Sequence, residues 1–241
     1  MTPRITLVLV RHGESAWIAE GRFQGRGDPP LSEVGLRQAA AVGTRLAQPT
    51  RMPSVPVPPG PPRVIWHSPL RRAVQTARAI HDARQADAPL QPLDELVELG
   101  QGVWEGLTHD EVRQRWPSEL AAWQADPLAN HAPGGESLRD AAVRVRIART
   151  RIVSLTAVAD ENPAAQTVPP WTIVVAHDGM LRLLICDLLG VGLEHFWSFP
   201  LALASISVLD VGDDLVQLRA HNLDEHVTAL GPSPARPAGA L

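Results

Sequence analysis

Continuous apolar runs that stop at polar clusters do most to limit the folds that this 241-residue chain can adopt. Residues 5–10 and 172–176 form two such runs, and residues 64–66 form a shorter one. The runs are rich in β-branched residues and do not alternate with polar ones, which is typical of strands buried on both faces of a parallel sheet. A helical pattern follows near each run. Strands that alternate with helices predict an α/β fold with a mostly parallel central sheet.

Capping residues and glycines predict where the helices begin and end. We expect helices over residues 32–47, 68–84, 137–158 and 180–189. Ser68 is predicted to cap the second helix, with Pro69 at its first position, and Gly190 is predicted to end the last one. Ser137 opens the third helix with an approximate capping box. Residues 205–211 and 215–220 are predicted to form a hairpin.

The composition excludes several classes of protein. The formal net charge is −4 and all 22 basic residues are arginines, so the chain lacks the positive balance of a nucleic-acid-binding protein. With 44% apolar residues, the chain can bury a sizeable core. Its one cysteine, Cys186, cannot form an internal disulfide, and no apolar stretch approaches the roughly 20 residues that span a bilayer. We expect a cytoplasmic protein that binds neither nucleic acid nor membranes.

Two proline-rich segments differ from the rest of the chain. Residues 49–62 contain seven prolines, and residues 226–241 form a tail rich in Pro, Ala and Gly. Both are predicted to be extended or disordered because they have too few apolar residues to pack. The first lies between a helix and a strand, so it is an insertion and not a domain boundary. We therefore predict a single domain over residues 1–225 with a proline-rich loop at 49–62.

Polar clusters follow the three strand-like runs, at residues 11–13, 67–69 and 177–179. Ligands bind outside the carboxyl ends of the strands in open α/β sheets, so these clusters are expected to lie side by side. His12 and His177 would then share a crevice with Arg11 and with Arg71 or Arg72. A lone histidine is usually structural, but two at equivalent strand ends favour a site. Arginine side chains there favour phosphate or carboxylate as the ligand.

Several sequence blocks, in a fixed order, resemble one known family. They are LVRHGES at residues 9–15, RFQG at 22–25, PLSEVG at 30–35, SPLRRAVQTA at 68–77, ELGQGVWEG at 98–106, PGGES at 133–137 and VAHDGMLR at 175–182. Together they are similar to the histidine phosphatase (phosphoglycerate mutase-like) superfamily over about residues 5–220. The resemblance implies a three-layer α/β/α sandwich, phosphoglycerate mutase-like, in which the sheet is mostly parallel.

The resemblance also implies a role for each matching residue. His12 would attack phosphorus and become a phosphohistidine, while Arg11, Arg72 and His177 would surround the phosphoryl oxygens. Glu98 would protonate the leaving group and then activate water. The wider set of substrate-binding residues consists of Arg11, Arg72, His177, Ser15, Arg22, Gln24, Gly25 and Asp178. No cofactor and no metal are expected.

Two positions depart from the family pattern. Ile18 stands where the family commonly has an asparagine that helps to hold phosphate. Either a nearby arginine such as Arg22 fills that role, or the pocket suits a less polar substrate. Asp178 stands where glycine often follows the histidine. A carboxylate there would repel phosphate or shift the titration of the histidines, unless its side chain points away from the pocket.

Three functions fit these residues. We favour a metal-independent phosphomonoesterase that acts on a small phosphorylated metabolite through a phosphohistidine on His12. The alternatives are a 2,3-bisphosphoglycerate-dependent phosphoglycerate mutase and a non-catalytic phosphate-binding module. Only 37 residues separate Glu98 from Glu136, whereas the mutases usually carry a longer insertion that closes over their intermediate. The sequence leaves a homodimer open.

Overall fold

The computed structural model describes residues 4–85, 88–157, 168–228 and 230. Its described residues form one six-stranded sheet in the order β3-β2-β4-β1-β5-β6. The strands are β1 (Ile5–Arg11), β2 (Ile65–His67), β3 (Leu90–Pro92), β4 (Trp171–Ala176), β5 (Ile206–Val211) and β6 (Val216–Leu223). β1, β2, β3 and β4 run parallel, and β5 pairs antiparallel with both β1 and β6. The predicted mostly parallel sheet and the terminal hairpin are confirmed.

Helices cover both faces of the sheet. They are α1 (Ala16–Ala19), α2 (Glu33–Ala47), α3 (Arg71–Arg84), α4 (His109–Arg115), α5 (Pro117–Ala125), α6 (Leu138–Ala157), α7 (Asp178–Leu189) and α8 (Glu225–Thr228). Every residue of β1 is buried, and alternate side chains enter different cores. Leu7 and Leu9 pack with residues of α6 and α7, while Val8 and Val10 pack with residues of α2 and α3. The three-layer α/β/α prediction is confirmed.

One predicted helix start is wrong. α3 begins at Arg71, after an N-cap residue, Leu70, whose side chain makes no capping hydrogen bond. The Ser68 hydroxyl lies 2.7 Å from Nε2 of His177 and accepts at 3.3 Å from the amide of Leu70, the N-cap residue itself. The cap comes from a distant loop, because the Arg71 amide donates to Oδ1 of Asp28 at 2.6 Å. A carboxylate at a helix N-terminus is favourable there whichever part of the chain supplies it.

The other predicted helix ends agree with the structure to within a few residues. The Asp140 amide donates to the Ser137 hydroxyl at 3.1 Å, so Ser137 precedes α6 as predicted. α6 is described to Ala157, and the predicted last residue, Val158, lies outside the described residues. α7 ends at Gly190, whose φ of 65° is the left-handed conformation that glycine adopts without steric cost.

The proline-rich loop packs more than its composition predicts. Residues 49–62 contain no helix or strand, but Val55 is only 4% exposed and belongs to the core beneath α2 and α3. The Val55 amide donates to the Pro49 carbonyl at 2.8 Å, and Arg45 donates to the Pro53 carbonyl. The expectation that this segment cannot pack was wrong, because a single valine is enough to attach it to the core.

The C-terminal end of the described chain crosses the predicted domain boundary. α8 begins at Glu225, the last residue of the predicted domain, and continues into the predicted tail, where its Val227 is 8% exposed. Most of the predicted tail, residues 231–241, lies outside the described residues. Among the helices that the structure describes, none combines the length and the apolar character needed to cross a membrane.

Candidate active site

The register of the sheet brings the predicted polar clusters together. Arg11 lies opposite Ala176 in the parallel β1–β4 pair, and His67 lies opposite Val175 in the β2–β4 pair. The residues that follow these strands therefore share one edge of the sheet. The rings of His12 and His177 have their centroids 5.0 Å apart with an interplanar angle of 64°. Both histidines are at most 1% exposed.

Hydrogen bonds fix the tautomer of His12. Its Nδ1 lies 2.6 Å from the carbonyl oxygen of Gly13, and a carbonyl can only accept, so Nδ1 carries the proton. Nε2 then keeps its lone pair and accepts from Nε of Arg72 at 3.3 Å. A neutral imidazole with an available Nε2 lone pair is a nucleophile near neutral pH.

The loop that carries His12 is held by α2. A Cβ atom on Gly35 would lie 1.9 Å from the carbonyl oxygen of Glu14, so only glycine permits this close packing. The Glu14 carboxylate accepts from the Ser32 hydroxyl at 2.6 Å, and the Glu14 amide donates to Gln38 at 2.8 Å. Glu14 therefore acts in the structure as an anchor between the loop and the start of α2.

Arg72 connects the two histidines. Its Nε–H is shared between Nε2 of His12 at 3.3 Å and Nδ1 of His177 at 3.2 Å. Its terminal nitrogens donate to the carbonyls of Gly27 at 2.7 Å and Gly25 at 2.9 Å. Burial lowers the pKa of Arg72 to about 10, which still leaves the guanidinium charged at neutral pH. α3 buries Arg72 and exposes its neighbour, so the structure selects Arg72 from the two arginines considered.

His177 is held in the neutral form. Because its Nδ1 accepts from Arg72, its Nε2 carries the proton and donates to the Ser68 hydroxyl at 2.7 Å. Burial, and after it the positive charge of Arg72, holds the pKa of His177 well below its ordinary value of 6.5. An anion bound beside this ring would oppose both effects by favouring the protonated form.

Glu98 has the environment of a proton donor. It is 4% exposed, and burial raises the pKa of its carboxyl. The Leu99 amide donates to Oε1 at 2.8 Å and the Gly179 amide donates to Oε2 at 3.3 Å, which fixes the carboxyl beside the start of α7. Desolvation of this kind keeps a carboxyl group protonated to higher pH, as a general acid requires.

Arg11 and Asp178, which adjoin the two histidines in the chain, form a buried ion pair. Arg11 is 2% exposed, and its Nη1 donates to the Leu201 carbonyl and lies 3.7 Å from Oδ1 of Asp178. Asp178 also forms an ion pair with Arg182. The carboxylate predicted to disturb a phosphate site is thus bound by arginines.

The structure brings some of the predicted substrate-binding residues together and leaves one at the rim. The hydroxyl of Ser15 donates to Gln24 at 2.5 Å and accepts from the Ile18 amide at 3.1 Å, so both polar side chains are buried beside the His12 loop. Gly25 has a φ of 50° and offers its carbonyl to the α3 arginine. Arg22 is about one-third exposed, and it donates to the Glu20 carboxylate at 2.6 Å and to the Gly106 carbonyl at 2.8 Å.

Sequence reasoning missed several functional groups. Ser68 was interpreted only as a helix cap, although its hydroxyl is the partner of His177. The Gly27 carbonyl and the Gly179 amide belong to the main chain, which leaves no side-chain signal in a sequence. Arg182 could have been found, because it lies four residues after Asp178 on a predicted helix.

No three histidine, cysteine or carboxylate side chains lie close enough to hold a metal ion in the part of the chain that the structure describes. The arrangement offers an imidazole with its lone pair on Nε2, two buried guanidinium groups and a carboxyl group whose pKa is raised by burial. These groups together suit the transfer of a phosphoryl group.

Comparison with known proteins agrees with this chemistry. The family model for the histidine phosphatase superfamily (branch 1) matches residues 7–224. Phosphoserine phosphatase 1 of Hydrogenobacter thermophilus is 34% identical over 205 residues, which are 85% of this chain and 86% of that protein. A 2,3-bisphosphoglycerate-dependent phosphoglycerate mutase of Bartonella henselae is 34% identical over 198 residues, 82% of this chain and 87% of that protein.

Solved structures show the same fold. A mycobacterial glucosyl-3-phosphoglycerate phosphatase superposes with a TM-score of 0.74 at 27% identity, covering 91% of this chain and 99% of that one. Three further mycobacterial relatives are longer, and the chain spans 50% of their length. With the family model matched over most of its length, the chain belongs to the histidine phosphatase superfamily and is a phosphoric monoester hydrolase.

Proposed function

We propose that this protein hydrolyses a small phosphate monoester in two in-line phosphoryl transfers, through a phosphohistidine on His12 and without a metal ion. The observation that carries the proposal is the geometry of His12. Its Nδ1–H is fixed by the Gly13 carbonyl, and its Nε2 lone pair lies against the guanidinium of Arg72. Nucleophile and phosphate-binding cation therefore meet at one point.

In the first transfer, Nε2 of His12 forms a bond to phosphorus while the bond from phosphorus to the ester oxygen breaks. Glu98 gives its proton to that oxygen, and the alcohol leaves. In the second transfer, Glu98 takes a proton from water, the water oxygen attacks phosphorus, and the bond to Nε2 breaks. Inorganic phosphate leaves, and both side chains return to their starting protonation states.

Negative charge lies on the phosphoryl oxygens throughout both transfers. Arg11 and Arg72 are buried and already held by backbone carbonyls, so they need little rearrangement to stabilise that charge. Fixed cations in a desolvated site act more strongly than solvated ones.

Trapping the intermediate tests the proposal. Brief incubation with a ³²P-labelled monoester in excess chelator is expected to label the protein with an acid-labile, base-stable phosphoryl group. His12→Ala should remove both the label and turnover. Loss of wild-type activity in chelator would contradict metal independence, and a label that survives in His12→Ala would assign the nucleophile elsewhere.

The mutase alternative remains a second candidate because one relative at 34% identity carries that name. Hydrolysis is favoured because the segment between Glu98 and Glu136 is short and contains, besides one 3-10 turn, only the two short α-helices α4 and α5. Incubation with 2,3-bisphosphoglycerate and 3-phosphoglycerate separates the two. Release of inorganic phosphate supports the hydrolase, and conversion to 2-phosphoglycerate supports the mutase.

The first substrates to test are phosphoserine and glucosyl-3-phosphoglycerate, after the names of two relatives. Both carry a carboxylate as well as a phosphate. Arg26 lies in the chain between the two glycines whose carbonyls hold Arg72. Its side chain is 51% exposed, and its Nη2 forms an ion pair with Oε1 of Glu136 at 3.2 Å. A half-exposed guanidinium at this position is suited to binding a carboxylate on the leaving group.

A further inference from the structure

Directly after His177, the chain carries a buried carboxylate that the proposed chemistry does not use. Asp178 is 1% exposed and occupies the first position of α7. Arg182, one turn further along, donates from Nε to Oδ1 at 3.1 Å and from Nη2 to Oδ2 at 3.3 Å. A carboxylate beside a phosphate pocket opposes anion binding. A buried aspartate at this position therefore suggests a second effect on the site that favours the reaction.

Arg182 is itself firmly held. It is 7% exposed, and its guanidinium carbon lies 5.2 Å from the ring centroid of Trp197 and 5.8 Å from that of Phe196. Its Nη1 also donates to the Phe196 carbonyl at 3.4 Å. A planar guanidinium can stack on rings and bind both carboxylate oxygens together, which an ammonium group cannot do.

Asp178 contacts one group that the proposed reaction needs, and the residue after it contacts another. Its Oδ1 lies 3.7 Å from Nη1 of Arg11, and the same Nη1 donates to the Leu201 carbonyl. The next residue, Gly179, donates its amide to Glu98 at 3.3 Å.

The charge of Asp178 acts on Glu98 across the same site. Two charged side chains act on that carboxyl: Asp178 on α7 raises its pKa, and Arg72 on α3 lowers it. The neighbouring imidazoles are His12 at the end of β1 and His177 at the end of β4, and His177 is neutral. Asp178 is thus the charged side chain that favours the protonated form of Glu98, in addition to burial.

We propose that Asp178, tethered by Arg182, is a positioning residue that fixes Arg11 against the substrate phosphate and keeps a negative charge beside Glu98. The inference rests on the proposed phosphatase mechanism. It gives Asp178 and Arg182 a shared role in which one supplies the charge and the other holds it in place.

The test compares Asp178→Asn with Asp187→Asn. Asp187 lies on the same helix and pairs with Arg149 at 3.3 Å, so the control makes the same chemical change away from the site. Two substrates separate the effects on the two catalytic groups. p-Nitrophenyl phosphate has a leaving group that needs no proton, whereas β-glycerophosphate requires one from Glu98.

For Asp178→Asn, kcat/KM with p-nitrophenyl phosphate should fall about 10- to 100-fold because Arg11 loses a fixed partner. With β-glycerophosphate, the alkaline limb of the kcat/KM profile should also move to lower pH, because Glu98 loses the neighbouring negative charge. Titration of ¹³C-labelled glutamate carboxyls by NMR, assigned with Glu98→Gln, should show the same shift without any substrate. The control should match the wild type in every measurement.

Arg182→Lys provides a second variant should Asp178→Asn fold poorly. The lysine keeps the charge of Asp178 in place but loses the paired hydrogen bonds to both carboxylate oxygens and the stacking on Trp197 and Phe196. We therefore expect kcat/KM with p-nitrophenyl phosphate to fall, while the alkaline limb of the profile with β-glycerophosphate stays at the wild-type pH. If Asp178→Asn matches Asp187→Asn in rate and in the Glu98 titration, the proposal is overturned. If the wild type hydrolyses neither ester, the proposed function fails, and the NMR titration still decides whether Asp178 acts on Glu98.

Discussion

The hydrogen bond between Ser68 and His177 gives the sharpest prediction for this site. The Ser68 hydroxyl is completely buried and accepts the Nε2–H of His177 at 2.7 Å. Ser68→Ala leaves that N–H without its acceptor in a site closed to water. An unsatisfied buried donor costs about 1–3 kcal/mol. The ring can avoid this cost only by moving its proton to Nδ1, which then can no longer accept from Arg72.

The same cost sets the expected loss of activity. If His177 must keep its orientation in the transition state, about 1–3 kcal/mol corresponds to a fall in kcat/KM of about 5- to 150-fold. Steady-state kinetics with p-nitrophenyl phosphate and urea unfolding measure the two effects. Ser68→Thr keeps a hydroxyl and should recover part of the activity.

The sheet contains a matched control for this experiment. Ser207 is also completely buried and lies on β5, and its hydroxyl lies 3.2 Å from Nδ1 of His221, a histidine outside the proposed site. Ser207→Ala should lower stability by a comparable amount and leave kcat/KM unchanged. If Ser68→Ala loses no more activity than Ser207→Ala, the hydroxyl of Ser68 does not orient His177, and the reasoning fails.

Three further predictions concern stability. Because burial lowers the pKa of His177 below 6.5, the unfolded chain binds a proton that the folded chain excludes, so stability should fall as pH drops below about 6.5. His177→Gln should weaken that dependence in urea unfolding at about pH 7.5 and pH 5; an unchanged slope would contradict it. Val55→Ala should cost about 1–2 kcal/mol, whereas Met52→Ala, in the same loop but 80% exposed, should cost almost nothing in thermal unfolding. Gly35→Ala places a Cβ 1.9 Å from the Glu14 carbonyl and should lower both the Tm and kcat/KM; if both stay at wild-type values, the close packing of the His12 loop is not needed.

The sequence predicted the fold and the meeting of the two histidines because those features depend on local patterns. The buried runs specify parallel strands, and parallel strands align their carboxyl ends. His12 and His177 each follow such a strand directly, so no long-range information was needed to bring them together.

The remaining features depend on contacts between distant parts of the chain. Asp28 caps α3 from a loop 43 residues away, so the local signal at Ser68 predicted the wrong start. Val55 enters the core from a segment whose average composition indicates that it should not pack. The network around Asp178 includes Arg11, which lies far away in sequence and reaches it only after the sheet has formed.

Arg72 is held by main-chain carbonyls on either side of position 26 and not by the side chain at that position. The carbonyls of Gly25 and Gly27 hold the guanidinium, and the side chain between them, Arg26, takes no part in these hydrogen bonds. Neither carbonyl depends on the side chain at position 26, so a substitution there is expected to leave both hydrogen bonds to Arg72 in place. If Arg72 binds phosphate as proposed, position 26 can change the preference for the alcohol without changing the phosphate site.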